Sequence, residues 1–253
     1  RREFVTGSAL AMTGAIAFPR SAKAADTVIY VLLNEELGTI LPDFYGHFVE
    51  HLGAVVYDGI WVGEGSKIAN VGGIRKSIVD ALARIKAPVI RYPGGCFADS
   101  YNWRDGVGER SKRPRRTNFW YGVNTKDVPM DSTSRFEPNE FGTNEFLQFC
   151  RLTGARPYMA ANVRGLNAND FWEWVEYCNA PAASTTLANL RAAGSAGSRE
   201  PYKVEFWGIG NESWGCGGEM TPEEYSQEFR KFTAAYPPFD VQLKFIGAGA
   251  SSD

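Results

Sequence analysis

The sequence predicts an α/β fold, the first part of a (β/α)8 barrel, and three observations lead there. Apolar, strand-type runs alternate with amphipathic helical patterns along most of the chain. Hairpin signals do not interrupt the series, so consecutive strands are expected to run parallel with crossover helices between them. Residues able to do chemistry, Glu50, Arg91 and Glu212, fall at strand C-terminal ends, where such a barrel builds its site. A doubly wound open sheet is the structural rival. It is weakened because no glycine-rich phosphate fingerprint follows the first strand.

The chain opens on Arg1-Arg2, followed by an apolar, small-residue run from Val5 to Phe18 and then Ala22-Lys23-Ala24. A twin-arginine, an apolar stretch and an A-x-A site describe a bacterial export signal, assigned to residues 1–24. The run is shorter than the ~20 residues a membrane span requires. The mature protein is therefore expected to start near Ala25, outside the cytoplasm in the periplasm or medium, with no membrane segment. Residues 25–40 contain a short β-type run, Val28–Leu33, and a partial barrel is expected over 41–253.

Within it, Asp43–Glu50 reads as the first barrel strand. Ile74, Ile78, Leu82 and Ile85 recur at helical spacing and place one apolar stripe on a helix. Ala87–Tyr92 is a buried strand closed by Pro93-Gly94-Gly95, and a long loop runs on to about Arg135. Asn144–Leu152 is a helix stopped by Gly154, and Pro157–Ala161 the next strand. Asp170–Asn179 is an aromatic-rich helix with Asp170 as its N-cap. Lys203–Ile209 is a strand leading into Gly210-Asn211-Glu212. Thr221-Pro222-Glu223-Glu224 is a capping box with proline at the first helical position, opening a helix to about Ala235. Gln242–Gly247 is the fifth strand. Five strands leave a barrel wall open, with unpaired edges and an apolar inner face, so about five βα units of eight are expected here.

Composition excludes some classes. The 253 residues are 44% hydrophobic and 22% charged, with a formal net charge of −2, so no bulk attraction to nucleic acid or anionic membrane is expected. The basic loop Arg104–Arg116 reads as a solvated loop with acidic partners at Asp105 and Glu109. Cys150 and Cys178 lie in helical patterns and read as buried thiols. Four cysteines without a C-x-x-C pair, beside only two histidines, make a Cys/His zinc site improbable. Neither a metal nor a cofactor is expected.

The segment Trp207-Gly208-Ile209-Gly210-Asn211-Glu212-Ser213-Trp214 sets a glutamate at a strand end between two tryptophans, after an amide able to bind a sugar hydroxyl. Retaining glycoside hydrolysis needs two carboxyl groups about 5–5.5 Å apart, one of them protonated near neutral pH by burial or by a neighbouring charge. Glu212 fits the acid/base. A helix-entry glutamate without chemistry is the alternative from this segment alone.

Several stretches together carry a resemblance: Tyr45–His51, Arg91–Gly95, Tyr101–Gly108, Arg113–Arg116, Asn139–Gly142 with Asn144-Glu145-Phe146, Val175–Asn179, and Gly210-Asn211-Glu212. In this order the chain resembles the α-L-arabinofuranosidases of glycoside hydrolase family 51, over most of residues 41–247. The resemblance implies release of terminal α-L-arabinofuranosyl groups from arabinan or arabinoxylan side chains with retention, and arabinose-containing glycans as partners. It implies Glu212 as general acid then base, Asn211 on the sugar 2-hydroxyl, and Glu50 on sugar hydroxyls deep in the pocket. Arg91 would orient neighbouring carboxylates, and Trp120 would line the pocket. It further implies a nucleophile at the seventh strand's end and a C-terminal β-sandwich that pairs with residues 25–40. Neither is in these 253 residues, so the chain by itself is expected to be inactive. Homo-oligomers are implied for the full-length protein.

One departure bears on substrate binding. Cys96 stands where many members carry a sugar-contacting asparagine. It shares the barrel mouth with Cys216, and the sequence raises the hypothesis of a disulfide between them while leaving open whether they are bonded. Another hydrolase of the same clan, such as a xylanase or glucanase, and a non-catalytic sugar-binding protein stay open as alternatives.

Overall fold

The computed structural model describes residues 30, 35, 37–118, 120 and 135–249. The expected export signal lies outside the described residues, as does all of Val28–Leu33 except Tyr30. The chain divides into two units, residues 1–39 and 40–253, and every element below belongs to the second.

A 3-10 turn, Pro42–Tyr45, precedes β1 (His47–Phe48). Of the strand expected over Asp43–Glu50, Asp43–Tyr45 form a turn and only His47–Phe48 pair as strand. Pro42 sits at the first position of that turn, where its fixed φ suits helical geometry and its missing N–H costs nothing. Next come β2 (Asn70–Val71) and β3 (Ile74–Arg75), an antiparallel pair. This hairpin was not expected, although its signal is present: Gly72 and Gly73 both take positive φ, 58° and 86°, as a tight two-residue turn demands. Helix α1 (Lys76–Ile85) follows, with the predicted stripe starting one strand earlier, at fully buried Ile74.

Strand β4 (Val89–Tyr92) leads into the long loop, which contains three 3-10 turns and a second antiparallel pair, β5 (Arg116–Thr117) with β6 (Phe136–Glu137). Helix α2 (Thr143–Thr153) is held at its start by Glu145, whose Oε2 accepts from the Gly142 N–H at 2.9 Å. Gly154 ends it in the left-handed region, φ 78°, a conformation without side-chain penalty only for glycine. Strand β7 (Arg156–Ala161) precedes α3 (Ala168–Asn179). The cap of α3 is Asn167 rather than Asp170: Asn167 accepts from the Asn169 and Asp170 N–H groups, and Asp170 reaches back to the Asn167 N–H. Helix α4 (Thr186–Ala193), capped by Thr185, was not foreseen. Strand β8 (Phe206–Ile209), helix α5 (Pro222–Thr233) with the predicted Thr221–Glu224 capping box, and β9 (Lys244–Gly247) complete the series.

The main sheet has order β1-β4-β7-β8-β9 with every pair parallel. Each strand neighbours the next strand of the series, as in a barrel wall and unlike the reversal of order that marks a doubly wound sheet. The strands read Val-Ile-Arg-Tyr and Phe-Trp-Gly-Ile, and Ile90, Tyr92, Met159, Trp207 and Ile209 are fully buried. Against them pack Phe146, Phe149, Phe171, Trp174 and Val175 from α2 and α3. Both remaining thiols, Cys150 and Cys178, are buried there.

The basic loop is less solvated than expected. Arg116 pairs with Asp105 and Lys112 with Glu109 at the surface. Arg113, however, is fully buried and grips Glu145 with both Nη atoms at 3.0 Å, while donating to the Asn139 and Gly108 carbonyls. Arg104 binds Asp170 and Glu173. These arginines tie the loop to α2 and α3. Among the described residues, no helix is long and apolar enough to cross a membrane.

Candidate active site

The parallel sheet delivers four polar side chains from three strands to one end. Glu50 follows β1, Arg91 is the third residue of β4, and Asn211-Glu212 follow β8. The pairing of β1 with β4 continues past its last residues, through Val49 N–H to the Arg91 carbonyl and His51 N–H to the Pro93 carbonyl. That extension holds Glu50 level with the Gly94–Phe97 loop. Its Oε1 accepts from the Gly95 N–H at 2.8 Å and the Phe97 N–H at 3.2 Å.

Arg91 donates from Nη2 to Asn211 Oδ1 at 2.7 Å. Its guanidinium lies 5.0 Å from the Phe48 ring and 5.7 Å from that of Tyr158, so two aromatic faces help support a charge drawn away from water. Arg91 Nε is buried and has no hydrogen-bond partner among the described residues. The amide of Asn211 is thereby oriented from β4, across the intervening β7. Its Nδ2 lies 3.5 Å from Cys216 Sγ.

Glu212 stands on a tight turn. Gly210 has φ 77° and Glu212 itself φ 34°. For a residue with a side chain, the left-handed region is unfavourable and is kept where surrounding bonds over-determine it. Here the Gly215 and Gly217 N–H groups both donate to the Glu212 carbonyl, at 2.7 and 3.1 Å. The result projects the Glu212 carboxyl into solvent, while Asn211 beside it is 7% exposed.

Cys96 and Cys216 form a disulfide across 120 residues, with Cα atoms 5.5 Å apart. The bond that the sequence left open is present. Glu212 Oε2 lies 3.2 Å from Cys216 Sγ and 3.7 Å from Cys96 Sγ. Both sulfurs carry no hydrogen, so these are contacts rather than hydrogen bonds. These three residues cluster closely enough to suggest a metal site, but metal ligation needs thiolates, and both are consumed in the bridge. Cys96 thus meets the site as a wall and gives it no donor. Trp120 lines a cavity of about 330 Å³ with Arg164, Gly215, Cys216, Gly218 and Glu219, which sets the predicted aromatic beside the disulfide.

Two features went unread in the sequence. His51, next to Glu50, is buried, stacks on Phe97 with centroids 4.6 Å apart, and meets Glu137 Oε2 through Nδ1 at 2.9 Å. Burial raises the Glu137 carboxyl, but His51, Tyr57 and the Asn139 N–H outweigh it and leave its pKa below the usual range. Asp99, on the 3-10 turn after the glycine loop, is 1% exposed. Burial pushes its pKa up to about 7, against the opposing pull of Asn211, Arg91 and Arg164. An acid three residues after a Gly-Gly-Cys, in an otherwise apolar Cys-Phe-Ala-Asp, was the available signal.

The family model described as "Alpha-L-arabinofuranosidase 1 domain" matches residues 81–253. An intracellular exo-α-L-arabinofuranosidase of Bacteroides ovatus is 38% identical over 231 residues, 91% of this chain and 42% of its own length. A probable α-L-arabinofuranosidase C of Aspergillus fumigatus is 36% identical over 235 residues, 92% of this chain and 43% of its own. The crystal structure of the family 51 arabinofuranosidase of Xanthomonas axonopodis pv. citri superposes with TM-score 0.72 at 42% identity, covering 82% of this chain and 39% of that one. An α-L-arabinofuranosidase of Thermotoga maritima, solved with arabinose, gives TM-score 0.71 at 39% identity, covering 82% and 40%. This chain therefore spans about two fifths of the length of the relatives it matches.

Proposed function

Because the chain belongs to the α-L-arabinofuranosidases of glycoside hydrolase family 51, we propose that the whole protein hydrolyses terminal α-L-arabinofuranosyl groups from arabinan or arabinoxylan, with retention. One observation carries the reading. Asn211 and Glu212 stand together at a parallel strand's C-terminal end, the amide held by Arg91 and the carboxyl held beside the Cys96–Cys216 bridge.

Glu212, the exposed carboxyl of the pair, protonates the leaving glycosidic oxygen and later deprotonates the attacking water. Asn211 donates an amide N–H to a hydroxyl beside the reacting carbon. Glu50 Oε1 is committed to two backbone N–H groups, which suits a residue that shapes the pocket and binds hydroxyls and does not suit a nucleophile. We assign the nucleophile to a strand beyond the five described. On this reading a polypeptide of these 253 residues alone turns over no substrate. Export through the twin-arginine route belongs to the same proposal and places the enzyme where polysaccharide is found.

The test is hydrolysis of a chromogenic α-L-arabinofuranoside by the full-length protein and its Glu212→Ala variant. Activity that disappears in the variant supports the reading. Equal activity in both removes Glu212 as acid/base.

A further inference from the structure

Asp99 is a buried carboxyl that the reaction as described does not use. Neither Oδ1 nor Oδ2 has a hydrogen-bond partner of good geometry among the described residues, an arrangement that costs free energy unless something is gained from it. Its surroundings are specific. The side chain and backbone N–H of Asn211 face it, as do the cations of Arg91 on β4 and Arg164 after β7. Tyr225 on α5 also feels its charge, while spending its hydroxyl on the Ile209 carbonyl at 2.6 Å and on the Ala248 N–H. Asp99 therefore sits against the one amide that the proposed reaction needs in a defined orientation.

An asparagine amide can be turned over, exchanging its oxygen and its NH2. Arg91 supplies only donors, so it requires the Asn211 oxygen, and Oδ1 lies 2.7 Å from its Nη2. An ionised Asp99 supplies only acceptors, so it requires the NH2 group and favours the same orientation. A protonated Asp99 carries an O–H that competes with Arg91 for the Asn211 oxygen.

We propose that Asp99 is a positioning residue: its carboxyl, buried against Asn211, fixes which way the Asn211 amide points and links that orientation to its own ionisation. The proposal rests on the arabinofuranosidase reading for its kinetic consequence. The burial that raises Asp99 into the neutral range places the change where an enzyme works. Ionised Asp99 holds the amide NH2 and leaves Oδ1 to Arg91. As pH falls through about 7, the proton arrives, the hold is released, and the sugar-binding orientation is less populated.

The experiment uses the full-length protein, its D99N and D99E variants, and a chromogenic α-L-arabinofuranoside across pH 5 to 9. A loss of about 1.4 kcal/mol of transition-state stabilisation, when the Asn211 amide is less well oriented, corresponds to about tenfold in rate. D99N is expected to lower kcat about tenfold above pH 7 with KM little changed, and to erase the step near pH 7. D99E is expected to restore part of both. A D99N profile superimposable on the parent's would overturn the proposal, as would a uniform drop with the step retained. A second measurement needs neither turnover nor a variant at 99: the 15N resonance of the Asn211 side-chain amide in the parent, assigned by its loss in N211D. A titration midpoint near pH 7 supports the proposal and a flat response overturns it. Should the parent hydrolyse no arabinofuranoside, the functional reading fails while this titration still decides the role of Asp99.

Discussion

The Cys96–Cys216 bridge offers the sharpest perturbation, because its consequence can be worked from chain length. Replacing both residues by serine opens a loop closed over 120 residues. In the chain-entropy account, that loop restricts the unfolded state by about 5 kcal/mol at 25 °C. This figure is an upper value, since engineered and natural bridges often deliver less. The loss also has a local part. The bridge joins the Gly94–Phe97 loop, which Glu50 holds through two N–H groups, to the Asn211–Gly218 turn. Without it, Glu212 loses the wall beside its Oε2, and two loops from different strands are free to separate.

The assay is guanidinium unfolding of the oxidised protein and the double variant, followed by far-UV dichroism, with hydrogen exchange of both loops below the transition. A fall of between about 2 and 5 kcal/mol is expected, with faster exchange confined to residues 94–97 and 211–218. A change under about 1 kcal/mol with unchanged exchange would refute the reasoning, because it would mean that neighbouring packing alone holds the two loops together.

Four further outcomes are expected. Glu212→Gln in the full-length protein should lower kcat by roughly 10²–10⁴, the usual contribution of a positioned general acid, with folding unchanged by dichroism. Arg113→Ala should destabilise by about 3 kcal/mol in denaturant titration, because it leaves the fully buried Glu145 with one guanidinium, that of Arg110, in place of two. Arg91→Lys keeps the charge but not the fork that reaches Asn211, and should reduce kcat more than it raises KM in steady-state kinetics. Asp99 makes stability depend on pH. Its folded value of about 7 lies above the ordinary aspartate value of 3.8, so between these pH values the folded state keeps a proton that the unfolded state has shed. Stability should therefore fall as pH rises from about 4 to 7 and level off beyond, by about 4 kcal/mol at most. Asp99→Asn should flatten that slope in melting curves taken across the window.

The parts of this fold that were legible in the sequence are those where local chemistry and tertiary packing agree. The capping box at Thr221, the stop at Gly154 and the apolar runs of β4, β7 and β8 all stand as read. Misreadings occur where a contact distant in sequence decides. Nothing local shows that Arg113 leaves its basic loop for a carboxylate on α2, or that Asp43–Tyr45 turns rather than extends. The hairpin at Gly72-Gly73 was legible and was overlooked because its strands have only two residues each. The placement of Glu50, Arg91 and Glu212 toward strand C-terminal ends was legible, whereas their proposed roles came from the resemblance. Asp99 was not legible, since an acid on a 3-10 turn reads as surface until the fold buries it.

On the proposed reading, Glu50 also acts at a distance. Its carboxyl fixes the N–H groups of Gly95 and Phe97, on either side of Cys96; Cys96 is bonded to Cys216; and Cys216 touches the Glu212 carboxyl. A second route runs from Arg91 to the amide of Asn211, the residue directly before Glu212. The first route ends at the Glu212 carboxyl and the second at the residue before it; Glu212 itself takes an unfavourable backbone conformation and its side chain is exposed. Exposure alone would leave Glu212 with many rotamers, and catalysis needs few. Two strands therefore supply from outside the order that the turn lacks. Glu50→Gln, which keeps an oxygen acceptor but loses its charge, should weaken the first route and spare the second. Its expected effect is a kcat between those of the parent and the double cysteine variant, and a kcat below that variant's would show that Glu50 acts mainly through direct contact with the sugar.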